Sequence, residues 1–83
     1  IGYATLDAVT TGLRNVAVGN KALTSHTSNY CTAIGFEAGE DCNASYNTFV
    51  GYQAGLNVTT GTQCVYIGSG AGTVTGGRNV LIG

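Results

Sequence analysis

Few side chains in this sequence can do chemistry, and their spacing decides what that chemistry could be. His26 is the only histidine and stands in Thr24-Ser25-His26-Thr27-Ser28. A catalytic base works within a constellation, and a lone histidine in so polar a stretch reads as a solvated loop residue. Glu37, Glu40 and Asp41 fall within five residues. Paired carboxylates or a calcium loop would use such a group, but the one other acid is Asp7, and the cluster reads as a solvated turn. Gly68-Ser69-Gly70-Ala71-Gly72 has the glycine content of a phosphate-cradling loop, yet no lysine follows and no helical pattern opens after it. No catalytic residue, metal ligand or cofactor-binding residue is assigned, and the chain reads as non-enzymatic with no cofactor. Asn43-Ala44-Ser45 and Asn57-Val58-Thr59 match the glycosylation acceptor pattern, so Asn43 and Asn57 are candidate sites if the producing cell glycosylates.

Three cysteines leave at least one without a partner inside the chain. Cys31 and Cys64 occupy one phase of the repeat described below, two copies apart. Coils stacked about 4.8 Å apart would hold them roughly 9 to 10 Å apart, beyond the reach of a disulfide. Cys31 with Cys42, a bridge between chains, and small buried hydrophobes all remain open.

The chain that carries these residues is 83 long, with three Lys or Arg and four Asp or Glu, 14 glycines and no proline. A net charge of -1 offers no basic patch, which disfavours a nucleic-acid partner. No apolar run approaches the ~20 residues of a membrane-spanning helix, so no membrane insertion is expected. At 43% apolar residues the composition does not fit disorder.

What positions every residue named above is an internal repeat. A β-branched aliphatic followed by glycine recurs at Ile1-Gly2, Val18-Gly19, Ile34-Gly35, Val50-Gly51, Ile67-Gly68 and Ile82-Gly83, at spacings of 17, 16, 16, 17 and 15 residues. Such self-similarity is the signature of a repeat architecture. With the Ile/Val set at position zero, position plus four is Ala22, Ala38, Ala54 and Ala71, and position minus three is Asn15, Cys31, Asn47, Cys64 and Asn79. Positions minus three to zero form a short strand of β-formers. Alternation puts minus two and zero on one face and minus one on the other. The zero residues Val18, Ile34, Val50, Ile67 and Ile82 are expected to fill the coil interior. The minus-one residues Ala17, Ala33, Phe49, Tyr66 and Leu81 are expected to offer a second apolar face to a neighbouring chain. Gly19, Gly35, Gly51 and Gly68 end the strands as turn glycines. The aligned asparagines are expected to satisfy backbone groups where each strand starts. Tyr30 and Tyr46 share minus four, while Tyr3, Phe36 and Tyr52 share plus two. Such columns suit packing between coils or chains, or a sugar-binding platform.

The fold expected is all-β: one parallel β-solenoid or β-roll over 1–83, of about five coils of 15–17 residues, trimeric, and a fragment of a longer array. The segments Asn-Val-Ala-Val-Gly-Asn-Lys-Ala-Leu (15–23), Thr-Ala-Ile-Gly-Phe-Glu-Ala-Gly (32–39) and Asn-Thr-Phe-Val-Gly-Tyr-Gln-Ala-Gly (47–55) resemble the Asn-Thr-Ala-Ile-Gly-x-x-Ala-Gly repeats of bacteriophage and other viral tail or surface fibres. They are more distantly similar to the Val-Ala-Ile-Gly repeats of trimeric autotransporter adhesin heads. Cys31 and Cys64 depart from the usual Asn, and the spacing is a little longer than in the adhesin heads. The resemblance implies three chains with strands facing an axis, on a fibre or adhesin at a virion or cell surface. The expected function is a structural repeat segment of an extracellular or virion fibre serving surface or host attachment, with itself and a cell-surface glycan or receptor as partners. The alternative is a self-assembling extracellular filament. An ice-binding face ranks lower, because no Thr-x-Thr ladder recurs at one phase.

Overall fold

A computed structural model describes residues 1–3, 14–24, 29–42, 44–56, 61–71 and 80–83. Five strands of three residues each, β1 (Val16–Val18), β2 (Thr32–Ile34), β3 (Thr48–Val50), β4 (Val65–Ile67) and β5 (Val80–Ile82), form one sheet in the order β1-β2-β3-β4-β5. Every neighbouring pair is parallel, and each residue sits beside the residue of the same phase in the next copy, as in Ala33↔Phe49 and Ile34↔Val50. The chain is therefore an all-β parallel solenoid of stacked coils.

Each of β1 to β4 ends in a tight turn written by the Gly-x-x-Ala sequence. The Ala22, Ala38, Ala54 and Ala71 N–H groups donate to the carbonyls of Gly19, Gly35, Gly51 and Gly68, all at 3.2 Å. The third residue of each turn has positive φ (Lys21 61°, Glu37 56°, Gln53 55°, Gly70 68°), the pattern of a type II turn. Three of these four are not glycine, and a side chain in this region costs about 1 to 2 kcal/mol. Bonds between coils offset that cost. The same residues donate their N–H to the coil before, as Glu37 does to Asn20 (2.9 Å) and Gln53 to Phe36 (2.8 Å). A further column runs the other way, from Leu23, Gly39 and Gly55 to the carbonyls of Ala38, Ala54 and Ala71 at 2.7 to 3.0 Å.

The glycine after each of β1 to β4 is required by close approach as well as by φ. At Gly35 (φ +134°) a Cβ would stand 2.5 Å from the Gly51 carbonyl oxygen, which is backbone of the next coil and cannot rotate away. Neighbouring coils thus touch backbone to backbone along this corner.

The faces of the strands are the reverse of the sequence expectation. Ala17, Ala33, Phe49 and Tyr66 are buried and form the interior with the four turn alanines, and Leu81 packs partly buried against them. The zero-phase residues do not fill the coil: Ile34, Ile67 and Ile82 are exposed, and Val18 and Val50 are half-buried. The physical reason is parity. The residue at minus three is drawn inward, with Cys31, Asn47 and Cys64 all buried, and alternation then places minus one inside and minus two and zero outside.

The interior is filled by side chains of complementary size. Phe49 stacks on Tyr66 with centroids 5.4 Å apart and planes 3° from parallel. The Phe49 ring occupies the space a Cβ would need at Gly55 and at Gly39. Two coils earlier, where minus one is Ala17 and the next coil carries Ala33, position plus five is the buried Leu23. That leucine keeps positive φ (52°), holding a strained backbone so that its side chain can fill the space two alanines leave.

Candidate functional site

The residues that sequence reasoning singled out for chemistry are not brought together. His26, Asp7, Asn43 and Asn57 lie outside the described residues. Glu37, Glu40 and Asp41 stand half-buried on the turn after β2, where Gln53 Nε2 donates to Glu37 Oε2 at 2.9 Å from the next coil. Partial burial and the neighbouring Glu37 and Asp41 charges push the Glu40 carboxyl above the usual range. Among the described residues no group of three His, Cys, Asp or Glu side chains is placed to hold a metal ion, no pocket opens, and no helix is long and apolar enough to cross a membrane. Gly68 and Gly70 take their places in the glycine corner and the type II turn, which accounts for the glycine-rich run as far as Ala71.

What the fold does assemble is an outward surface. Position zero (Val18, Ile34, Val50, Ile67, Ile82) and position minus two (Val16, Thr32, Thr48, Val65, Val80) form two parallel columns on the outer face of the sheet. Val16, Ile34, Ile67, Val80 and Ile82 are exposed by 38% to 74%. Aromatic columns flank them along the chain. On one side Tyr30 stacks on Tyr46 (4.9 Å, 4°), and the Arg14 guanidinium lies over Tyr30, with Arg14 Nη1 donating to the Tyr30 hydroxyl at 2.9 Å. On the other side Phe36 stacks on Tyr52 (5.5 Å, 10°). The centroid spacings match one coil-to-coil step, so these rings pack between coils while leaving edges and outer faces exposed. Tyr30 and Tyr46 hold this position with positive φ (61° and 65°), as Arg14 and Gln63 do at the same phase.

The second assembled feature is a buried polar corner, in which Asn15 and Asn47 satisfy backbone groups at the strand starts as expected, while Asn79 lies outside the described residues. Asn47 is fully buried. Its Oδ1 accepts the Cys64 N–H at 2.9 Å, and its Nδ2 donates to the carbonyls of Gly61 (2.8 Å) and Ala44 (3.1 Å). Asn15 Oδ1 accepts the Cys31 N–H in the same way at 2.9 Å. Asparagine and cysteine thus alternate up this column, each asparagine satisfying the backbone of the cysteine above it. Burial, then a hydrogen bond to the Cys64 thiol, raises the Tyr66 phenol well above its ordinary value. The visible signal for this corner was the alternation Asn15, Cys31, Asn47, Cys64. No protein-family model matches the chain, and neither a curated protein nor a solved structure does.

Proposed function

We propose that this chain is a structural repeat segment of an extracellular or virion fibre, built of five coils and assembled as three chains, whose outer columns and loops serve attachment to a surface. The observation that carries the reading is the outer sheet face. Two columns of Val, Ile and Thr with no charge among them, several exposed by more than a third, form the kind of apolar surface that soluble monomers seldom leave open. Fully burying one such aliphatic side chain is worth about 1.5 to 3 kcal/mol, and self-association buries the columns repeatedly along the rod. The aromatic columns on either side would line the seam between chains or meet a cell-surface glycan or receptor.

Mass in solution tests the reading. Light scattering at micromolar concentration is expected to give the mass of three chains, and Ile34→Asp to give one chain that keeps its β-strand circular dichroism. A monomeric parent chain would defeat the proposal, as would an Ile34→Asp chain that still associates. Growth to indefinite mass would instead support the filament reading.

A further inference from the structure

We propose that Cys31 and Cys42 are a disulfide-forming pair that locks one corner of the solenoid, while Cys64 stays a thiol. Cys31 precedes β2, and Cys42 closes the turn segment that follows the same strand. Both sulfurs converge on one acceptor: Cys31 Sγ donates to the Ala44 carbonyl at 3.3 Å and Cys42 Sγ donates to it at 3.2 Å. The sulfur–sulfur separation therefore cannot exceed the sum of those two distances, and both side chains are buried at one corner. The neighbouring Cys42 thiol, and after it burial, push the Cys31 thiol above its ordinary range. Bridging them requires both sulfurs to leave the shared carbonyl and close to about 2.05 Å.

Cys64 is held apart from this pair. Its sulfur turns to the Thr62 carbonyl of its own coil at 3.3 Å. Asn47 fills the column between, donating to Cys42 Sγ at 3.5 Å on one side and accepting the Cys64 N–H at 2.9 Å on the other.

The oxidant is a small-molecule disulfide. One cysteine thiolate attacks it, forming a mixed disulfide and releasing one thiolate. The second cysteine thiolate displaces the other half. Two electrons pass to the oxidant, which leaves as two thiols carrying the protons the cysteines gave up. Cys31 and Cys42 are both buried, and burial also disfavours the thiolate, so the reaction runs while the corner is open during folding and the closed coil then protects its product. An extracellular setting supplies such an oxidant. The pairing itself follows from the corner alone and does not depend on assembly of the fibre.

The test is to refold the reduced 83-residue chain in a glutathione redox buffer, alkylate the remaining thiols and map the product after combined glutamyl and chymotryptic cleavage. Cuts after Glu37, Glu40, Tyr46 and Phe49 separate the three cysteines. The expected product is a chain lighter by two hydrogens before alkylation, with the Cys31 fragment joined to the Cys42 fragment and only Cys64 alkylated. Cys64→Ser is expected to keep the bridge and Cys42→Ser to lose every intrachain bridge. Alkylation of all three cysteines, a bridge that includes Cys64, or an interchain bridge as the main product would overturn the proposal. Because the mapping is done on the parent chain, the outcome stands even where a variant fails to fold.

Discussion

The size match inside the coil makes a quantitative prediction. Phe49 is fully buried, and a Cβ built on Gly55 would stand 2.1 Å from two of its ring carbons. Phe49→Ala removes that ring and is expected to cost about 3 to 5 kcal/mol. For a chain of this size, whose whole stability is on the order of 4 to 12 kcal/mol, that is enough to unfold much of the population. Gly55→Leu alone drives a side chain into the ring. Overpacking adds about 1 to 3 kcal/mol, and a branched residue at the positive φ of Gly55 (66°) adds about 1 to 2 kcal/mol more. The double variant gives this coil the alanine–leucine pair found two coils earlier at Ala17 and Leu23, both part of the buried core. Its leucine fills the space the ring vacated, so its cost should fall below the sum of the single costs by about 2 to 3 kcal/mol, a coupling within the range for residues in contact. Urea denaturation followed by circular dichroism gives the three free energies by linear extrapolation. All samples are held at one protein concentration, because association shifts apparent stability. Additivity within about 0.5 kcal/mol would refute the claim that plus five and minus one share one interior volume.

Two further substitutions separate close approach from backbone strain. Gly35→Ala meets the Gly51 carbonyl at 2.5 Å, whereas a Cβ on Gly70 meets nothing within 4 Å; thermal melts should show Gly35→Ala abolishing the transition and Gly70→Ala costing only about 1 kcal/mol. The Glu40 carboxyl is raised by burial and by the Glu37 and Asp41 charges, so the folded chain holds its proton to higher pH than the unfolded chain does. Stability should accordingly fall as pH rises from the ordinary carboxylate value through the raised one. Melts across that window should show the slope in the parent and its loss in Glu40→Gln; an unchanged slope would assign it to other groups.

The fold was legible because position, once counted from Ile/Val-Gly, fixes each residue's neighbours. All five strands fall at the phase the repeat marks, and the stacked glycines stand where the turn was expected. The inner and outer faces were not legible from hydrophobicity. Val-Ala-Val, Thr-Phe-Val and Val-Tyr-Ile are apolar on both sides, so either face could fill the coil. Two other signals pointed the right way. An asparagine that reaches the backbone of the next coil from minus three must face inward, and parity carries minus one with it. The minus-one column also varies in size, from Ala17 to Phe49 and Tyr66, while position plus five changes from Leu23 to Gly39 and Gly55. Size exchanged between two positions marks a shared volume; a column of uniform β-branched residues marks a flat face. The corner formed by Cys31, Cys42, Ala44 and Asn47 needed coordinates, because Cys42 and Ala44 lie in the stretch whose length varies between copies and so have no fixed phase.

Turning the strand over changes where the proposed partner chain would bind. The minus-one residues are already covered within the coil, so in the proposed assembly positions minus two and zero would make the contact. Among the described residues the charged side chains stand elsewhere: Arg14 at minus four, Lys21 and Glu37 at plus three, Glu40 and Asp41 beyond the turn. A monomeric sheet protein typically protects exposed strands with lysine, proline or inward-pointing charge, and this face carries none of these. Its threonines, Thr32 and Thr48, adjoin each other in the minus-two column of neighbouring strands, so they neither break the apolar zero column nor repeat along the array. A face kept free of charge over five strands, with the charges among the described residues standing away from it, is suited to contact with another such face.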